Sequence, residues 1–294
     1  MEIRSMNELV NHCKKEKKRI WELIVMREIE KSGIDHHKIM GMMEERLMKM
    51  KEAIDNGLKD GSTAPSGISG GDAIKMQEYV NQGKALTGHY ARDAMIFSLA
   101  TSESNARMGV IVATPTAGAA GILPGVLFAL QKNDCLSNKE LVRGLFTASA
   151  LGYVIANRSF ISGAAGGCQA EIGSATAMAA GAIVELKGGS PEQAVNATAL
   201  AMKSLLGLIC DPVAGLVEVP CIKRNVIGTS IAFSAADLSL AGIESRIPCD
   251  EVIETMYKVG KNMPKVYKET SLGGLAETET GKRVKERNNN RIWR

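Results

Sequence analysis

The stretch SATAMAAGAIVELKGGSPEQ, residues 174–193, decides the fold class. Ala175, Ala179 and Ile183 recur at four-residue steps and put small or apolar side chains on one helix face. Gly188-Gly189 closes that helix, because glycine enters the left-handed cap conformation without steric cost. Ser190-Pro191-Glu192-Gln193 opens the next one, with Ser as N-cap, Pro at the first helical position and Gln three residues after the cap. Small faces of this kind suit closely packed helices. The apolar run 177–186 is the best candidate for a membrane span. It carries Glu185, ends at Lys187 and falls short of the ~20 residues a span needs.

Outward from there the signals stay helical. Ser137 and Glu140 form a capping box ahead of the stripe Leu141, Leu145, Phe146 and Ala148. Strand-like alternation is confined to 111–113 and 216–219. Two loops stand out by composition, GSTAPSGISGGD (61–72) and ATPTAG (113–118). The expectation is an all-α catalytic domain with Gly-rich loops around a central site. In the first sixty residues, Leu9, Ile20, Leu23, Ile24 and Met26 give one apolar stripe. Ile39, Met42, Met43, Leu47, Met50 and Ile54 give a second. These predict two helices, with 1–60 packed as an appendage on the main bundle. No linker divides 1–294, and the basic stretch 280–294 reads as a flexible tail.

Hydrophobic residues are 45% of the 294 and charged residues 23%, as in ordinary globular proteins. Aromatic residues are only 4%, against 30 Gly and 15 Met, so the core is built from small and flexible side chains. A net charge of +4, with acids interspersed, does not point to nucleic acid. The run Lys14-Lys15-Glu16-Lys17-Lys18-Arg19 reads as a solvated helix face. MEIRSMNELV has no long apolar segment after its positive charge, so the expected location is the cytoplasm. There, six cysteines are expected as thiols or metal ligands, not disulfides.

Three of those cysteines have unusual neighbours: Gly-Gly-Cys168-Gln-Ala-Glu, Ile-Cys210-Asp-Pro and Val-Pro-Cys221-Ile-Lys-Arg-Asn. Their C-x41-C-x10-C spacing is no zinc ribbon, which needs paired C-x2-C knuckles. His12, His36, His37 and His89 all lie far upstream. Three thiolates without a fourth suit a [4Fe–4S] cluster with one iron free to act as a Lewis acid. Glycines would let a bulky group approach the backbone, and Asp211 would orient a ligand from behind. The competing reading is three small buried core residues. Cys13, Cys135 and Cys249 sit in ordinary settings.

The segments SGISGGDA (66–73), ATPTAGAAGILPG (113–125), SGAAGGCQAEIGSA (162–175), CDPVAGLVEVPCIKRN (210–225) and SRIPCDEV (245–252) resemble the α subunit of the iron–sulfur-dependent L-serine dehydratases. The resemblance implies an all-helical catalytic domain with an oxygen-sensitive [4Fe–4S] cluster on Cys168, Cys210 and Cys221. It implies deamination of L-serine to pyruvate and ammonia, in amino-acid catabolism that feeds gluconeogenesis. The open iron would draw charge from the β-hydroxyl while a base removes the α-proton. The Ser-Ser-Ser-His-Thr segment shared by the family's other part is absent here, and His89 in Thr-Gly-His-Tyr is a poor substitute. The resemblance therefore implies a separate β subunit that supplies the base within a hetero-oligomer. It also makes Ser69, Gly70, Gly71, Asp72, Thr114, Thr116, Ser162 and Gly163 candidates for binding substrate, with Ser66 beside them. Helix capping is their alternative role. Lys223 and Arg224 would pair the substrate carboxylate or the cluster, or else lie at the surface. Two other functions stay open: a non-catalytic helical interaction subunit, and a cluster lyase acting on threonine or another hydroxy acid.

Overall fold

The computed structural model describes residues 3–292, with side chains as far as residue 289. Thirteen α-helices follow one another, and no strand forms among the described residues. In chain order they are α1 (Met6–Glu16), α2 (Ile20–Ser32), α3 (His36–Lys59), α4 (Asp72–Asn81), α5 (His89–Ala106), α6 (Ile122–Asp134) and α7 (Asn138–Arg158). Then come α8 (Gly163–Gly166), α9 (Cys168–Leu186), α10 (Pro191–Lys203), α11 (Cys221–Leu240), α12 (Cys249–Asn262) and α13 (Glu279–Ile292). The all-α expectation holds. The two weak β-like runs stay outside any sheet, and the isolated bridge present joins Cys210 to Lys268.

Helix α9 is the axis of the molecule. Every residue from Cys168 to Glu185 on it is buried. It packs against α6, α7, α10 and α11, while α5 packs against α3, α4, α6 and α11. The quoted caps form as read. Gly188 is left-handed (φ +81) after α9, and Ser190 and Gln193 close a reciprocal box at the start of α10. Ser137 and Glu140 do the same for α7. No helix among the described residues is long and apolar enough to cross a membrane.

Small residues set how closely the helices approach. At Gly57 of α3, an added Cβ would overlap the backbone carbonyl of Ala100 on α5. On an exposed helix, Gly→Ala gains up to about 1 kcal/mol. Here the obstacle is backbone, which cannot rotate away. Gly57→Ala is expected to lose about 1–3 kcal/mol net, as overpacked cores do. Thermal unfolding of the variant checks this, and an unchanged or raised Tm would disprove the close contact.

The N-terminal region differs from its expectation. Lys17 adopts a left-handed conformation (φ +50) and ends α1, so the first stripe is split between two helices. Arg19 then starts α2, and its N–H donates to Glu22 at 2.9 Å. Val25, not Met26, faces inward, and Met42 is also exposed. Three helices therefore occupy the first sixty residues. Their Leu9, Leu23, Leu47 and Ile54 belong to the same apolar cluster as Ile172 and Met256.

Glu185, the charge inside α9's apolar run, is ion-paired with Arg19. The Arg19 guanidinium also donates to the Glu185 carbonyl at 2.6 Å. Burial still pushes the Glu185 carboxyl above its usual value of 4.5, against the pull of Arg19. A carboxyl raised in the folded state binds protons that the unfolded chain has released. Its contribution is complete below pH 4.5 and is lost as pH rises through the folded value. Glu185→Gln is expected to unfold like the parent in acid and to be the more stable of the two at neutral pH. Urea midpoints at both pH values test it, and a constant difference would refute it.

The basic stretch 280–294, expected to be flexible, is helical in α13 as far as Ile292, and residues 293 and 294 lie outside the described residues. The Thr278 hydroxyl accepts from the Gly281 N–H at 3.1 Å and caps its start. The helix packs on the turn Val213–Gly215.

Candidate metal centre

Cys168 opens α9, directly after Gly167 (φ +78). Gln169 locks this turn. Its amide donates to Gly166 O at 3.0 Å and Met256 O at 3.1 Å, and its carbonyl accepts from Gly207 N at 2.9 Å. Cys210 lies on an irregular segment pinned by backbone bonds, Cys210 N to Tyr267 O at 2.8 Å and Glu269 N to Cys210 O at 2.9 Å. Cys221 is the first residue of α11. Two of the three thiols thus sit at helix N-termini, where the helix dipole favours thiolate.

The Sγ atoms of Cys168 and Cys210 and a carboxylate oxygen of Glu171 lie within 4.8 Å of one another, and all three residues are buried. Cys221 is buried too and stands outside that group, close enough for Cys168 and Glu171 to raise its pKa. Glu171 was not singled out from the sequence. The available signal was its place three residues after Cys168, which puts both on one face of α9. The Thr116 hydroxyl donates to its carboxylate. Gly118 leaves room for that carboxylate, since an added Cβ would sit 2.7 Å from Oε1. Gly163 plays the same part for Cys210, with an added Cβ 2.6 Å from Sγ.

Electrostatics favour an anion at Cys168. The hydrogen bond from the Cys210 thiol holds Cys168 below the usual thiol range despite burial, and Arg224 adds to the effect. Cys210 is correspondingly pushed up, because it carries the shared proton in a buried setting. Burial pushes Cys221 up to about 12, with the charge of Cys168 adding to it. Burial also raises Glu171, against the Thr116 hydrogen bond. Arg224 donates to Cys168 Sγ at 3.4 Å and to Ile209 O at 2.9 Å, and it pairs with Asp211 at 2.9 Å. Asp211 is fixed in turn by the Leu275 N–H at 2.8 Å. Lys223 points elsewhere and reaches Asp72 at 2.6 Å.

The Gly-rich loop is bound up with other acids. Ser66 and Ser69 both donate to the buried Glu218, three residues before Cys221. Gly70 (φ +141) and Gly71 (φ +78) lead into α4. There the N–H groups of Asp72 and Ala73 donate to Glu103 at 2.6 and 3.4 Å. Thr114 N donates to Thr116 O at 3.2 Å, and the Thr114 hydroxyl is buried without a partner. Ser162 caps α8 through its carbonyl, which accepts from Ala165 and Gly166. Asn225 spans Gly118 O (2.7 Å), Gly121 N (3.0 Å) and Cys221 O (2.9 Å), tying the 113–121 loop to α11. The structure thus gathers Thr116, Cys168 and Cys210 around Glu171, with Gly163 against Cys210, while Ser69 faces Glu218 and Asp72 faces Glu103 and Lys223. Cys13 and Cys249 are buried in the apolar cluster, and Cys135 is exposed.

The chain matches the model of the serine dehydratase alpha chain family over residues 15–276. It is 50% identical over 284 residues to a probable L-serine dehydratase, alpha chain, of Bacillus subtilis (strain 168), covering 97% of this chain and 94% of that one. It is 39% identical to the L-serine dehydratase, alpha chain, of Peptoniphilus asaccharolyticus, covering 96% and 97%. Against the L-serine dehydratase of Helicobacter pylori (strain ATCC 700392 / 26695) it is 37% identical, covering 93% of this chain and 61% of that protein. With the five Gly- and Cys-rich segments inside the matched region, this chain belongs to the serine dehydratase alpha chain family.

Proposed function

We propose that this chain is the catalytic α chain of an L-serine dehydratase, a lyase that forms pyruvate and ammonia, and that Cys168, Cys210 and Cys221 hold a [4Fe–4S] cluster. The observation that carries the reading is the convergence of buried thiols beside Glu171 in a chain of this family. The donor set fits such a group. Three thiols suit iron, Gly163 leaves space at Cys210, and Arg224 offsets the negative charge of the ligands. When bound, the cluster would supply an iron lacking a protein ligand, which polarises the substrate hydroxyl.

The chain's own residues do the holding. Asp211 orients Arg224 against Cys168, and Thr116 orients the Glu171 carboxylate beside it. Buried surroundings exclude bulk water and strengthen each of these interactions. Ser69, Gly70, Gly71, Asp72, Thr114, Thr116, Ser162 and Gly163 remain the proposed substrate contacts. For Ser69 and Asp72 this requires Glu218 and Glu103 to yield donors, which makes Thr114, with its unpartnered hydroxyl, and Gly163 the stronger members. The thiol–carboxylate group contains no histidine. In this reading a β chain brings the base that takes the α-proton, and the enzyme is a cytoplasmic hetero-oligomer with its thiols kept reduced. The length by which the Helicobacter pylori protein exceeds this chain agrees with a second part. In this reading the chain acts as one catalytic domain, and among the described residues Ile3, Leu23 and Ile54 join the apolar cluster of the main bundle.

Oxygen-free purification with and without the co-expressed β chain tests the proposal. Iron and acid-labile sulfide in equal amounts are expected, with pyruvate from L-serine only when both chains are present. Turnover by metal-free protein would refute the cluster, and a larger yield of 2-oxobutyrate from L-threonine would reassign the substrate.

A further inference from the structure

The three atoms gathered by Cys168, Glu171 and Cys210 form a ligand set of their own, and Cys221 is not part of it. A tetrahedral zinc ion takes sulfur at about 2.3 Å and carboxylate oxygen at about 2.0–2.2 Å, so its ligand atoms lie about 3.5–3.8 Å apart. Atoms already within 4.8 Å of one another reach that arrangement with small movements. We propose that the metal-free chain binds one thiophilic divalent cation of the zinc class through Cys168, Glu171 and Cys210, with water in the fourth position. The site shares Cys168 and Cys210 with the proposed cluster site, but it does not depend on cluster binding.

Four observations support it. Two thiolates with one carboxylate suit zinc, cobalt and ferrous ions better than magnesium or calcium. The Glu171 carboxylate accepts the Thr116 hydroxyl, the kind of outer bond that orients a metal-binding carboxylate. Arg224 Nη1 stands 3.4 Å from Cys168 Sγ and offsets the excess negative charge of two thiolates and a carboxylate around a dication. Cys168 and Glu171 share one rigid helix, and Cys210 is fixed by two backbone bonds, so the set is held before any ion arrives. As each sulfur–metal bond forms, the thiol proton passes to solvent, and no oxidant or reductant is consumed. The ion uses two of the three cysteines proposed for the cluster, so the two occupants exclude one another.

The test titrates the reduced, metal-free full chain with Co2+, whose thiolate charge-transfer absorbance reports sulfur ligation, and then with competing Zn2+. One ion per chain is expected. Cys168→Ala and Cys210→Ala should lose it. Thr116→Val should weaken it about 10–100-fold, as outer-sphere changes do, and Glu171→Gln should weaken it more. Cys221→Ala should bind cobalt like the parent while failing to take up iron and sulfide. Far-UV circular dichroism verifies folding, and Cys→Ser replaces any Cys→Ala variant that unfolds. Zinc pre-loading should depress later cluster formation in the parent and much less in Glu171→Gln. Absence of stoichiometric cobalt in the parent would overturn the inference, as would loss of cobalt in Cys221→Ala equal to that in Cys168→Ala. If the cobalt site forms but iron and sulfide never assemble, the cluster reading fails and this one stands.

Discussion

Cys168→Ala, Cys210→Ala and Cys221→Ala, made singly, are each expected to abolish iron–sulfide uptake and to lower L-serine deamination by at least about 1,000-fold in the assembled enzyme. The loss is large because hydroxide is a poor leaving group. In the proposed reading the open iron would act there as a Lewis acid worth several kcal/mol, and each 1.36 kcal/mol is tenfold in rate. The surrounding side chains offer no substitute, since Arg224 is committed to Asp211 and Ile209 O. Stability should change little by comparison. Removing one buried sulfur leaves a small void worth no more than about 1.5 kcal/mol, so each metal-free variant should unfold near the parent in urea. Iron, sulfide and pyruvate are measured on the same samples as the unfolding curves. If a single variant kept both metal and turnover, that cysteine would revert to a core residue.

Arg224→Gln should be the most destabilising change near the site. Arg224 and Asp211 are 18% and 3% exposed at their side chains, and they meet at 2.9 Å. Removing the cation strands a buried carboxylate, which costs about 3–5 kcal/mol in comparable pairs. It also removes the donor to Ile209 O, on the segment that carries Cys210. Asp211→Asn should cost less, because its amide oxygen still accepts the Leu275 N–H and Arg224 is near enough to solvent to recruit water. The double variant should recover much of the loss, since no charge is then left alone. Urea unfolding of the four metal-free proteins closes the cycle. Simple additivity of the two single effects would mean that the pair is not coupled.

The helices were legible where their causes were local. Ser137 with Glu140, and Ser190 with Pro191 and Gln193, contain their own capping partners within one turn, so the sequence pattern and the structure coincide. Lys17 was not legible, because nothing in a lysine's neighbours announces a left-handed residue that splits a stripe in two. The polar composition of 280–294 suggested fraying. The helix there depends on the Thr278 cap and on a surface more than sixty residues away in the chain. In the loop 66–72, Ser66 and Ser69 to Asp72 read as candidates for binding substrate, with helix capping as their alternative role. In the fold, Glu103 and Glu218 engage it, and no spacing rule connects those positions.

By itself, then, the amino-acid order determined an all-helical chain, its capped boundaries and the three cysteines worth watching, because each depends on residues within a turn or two. Only the tertiary structure decided that Cys168, Cys210 and Glu171 meet, that Cys221 is outside their group, and that Arg224 rather than Lys223 faces the sulfur. Those facts depend on how α9, α11 and the Cys210 segment cross. Burial, which turns a few shared protons and charges into strong interactions, exists only once they have packed.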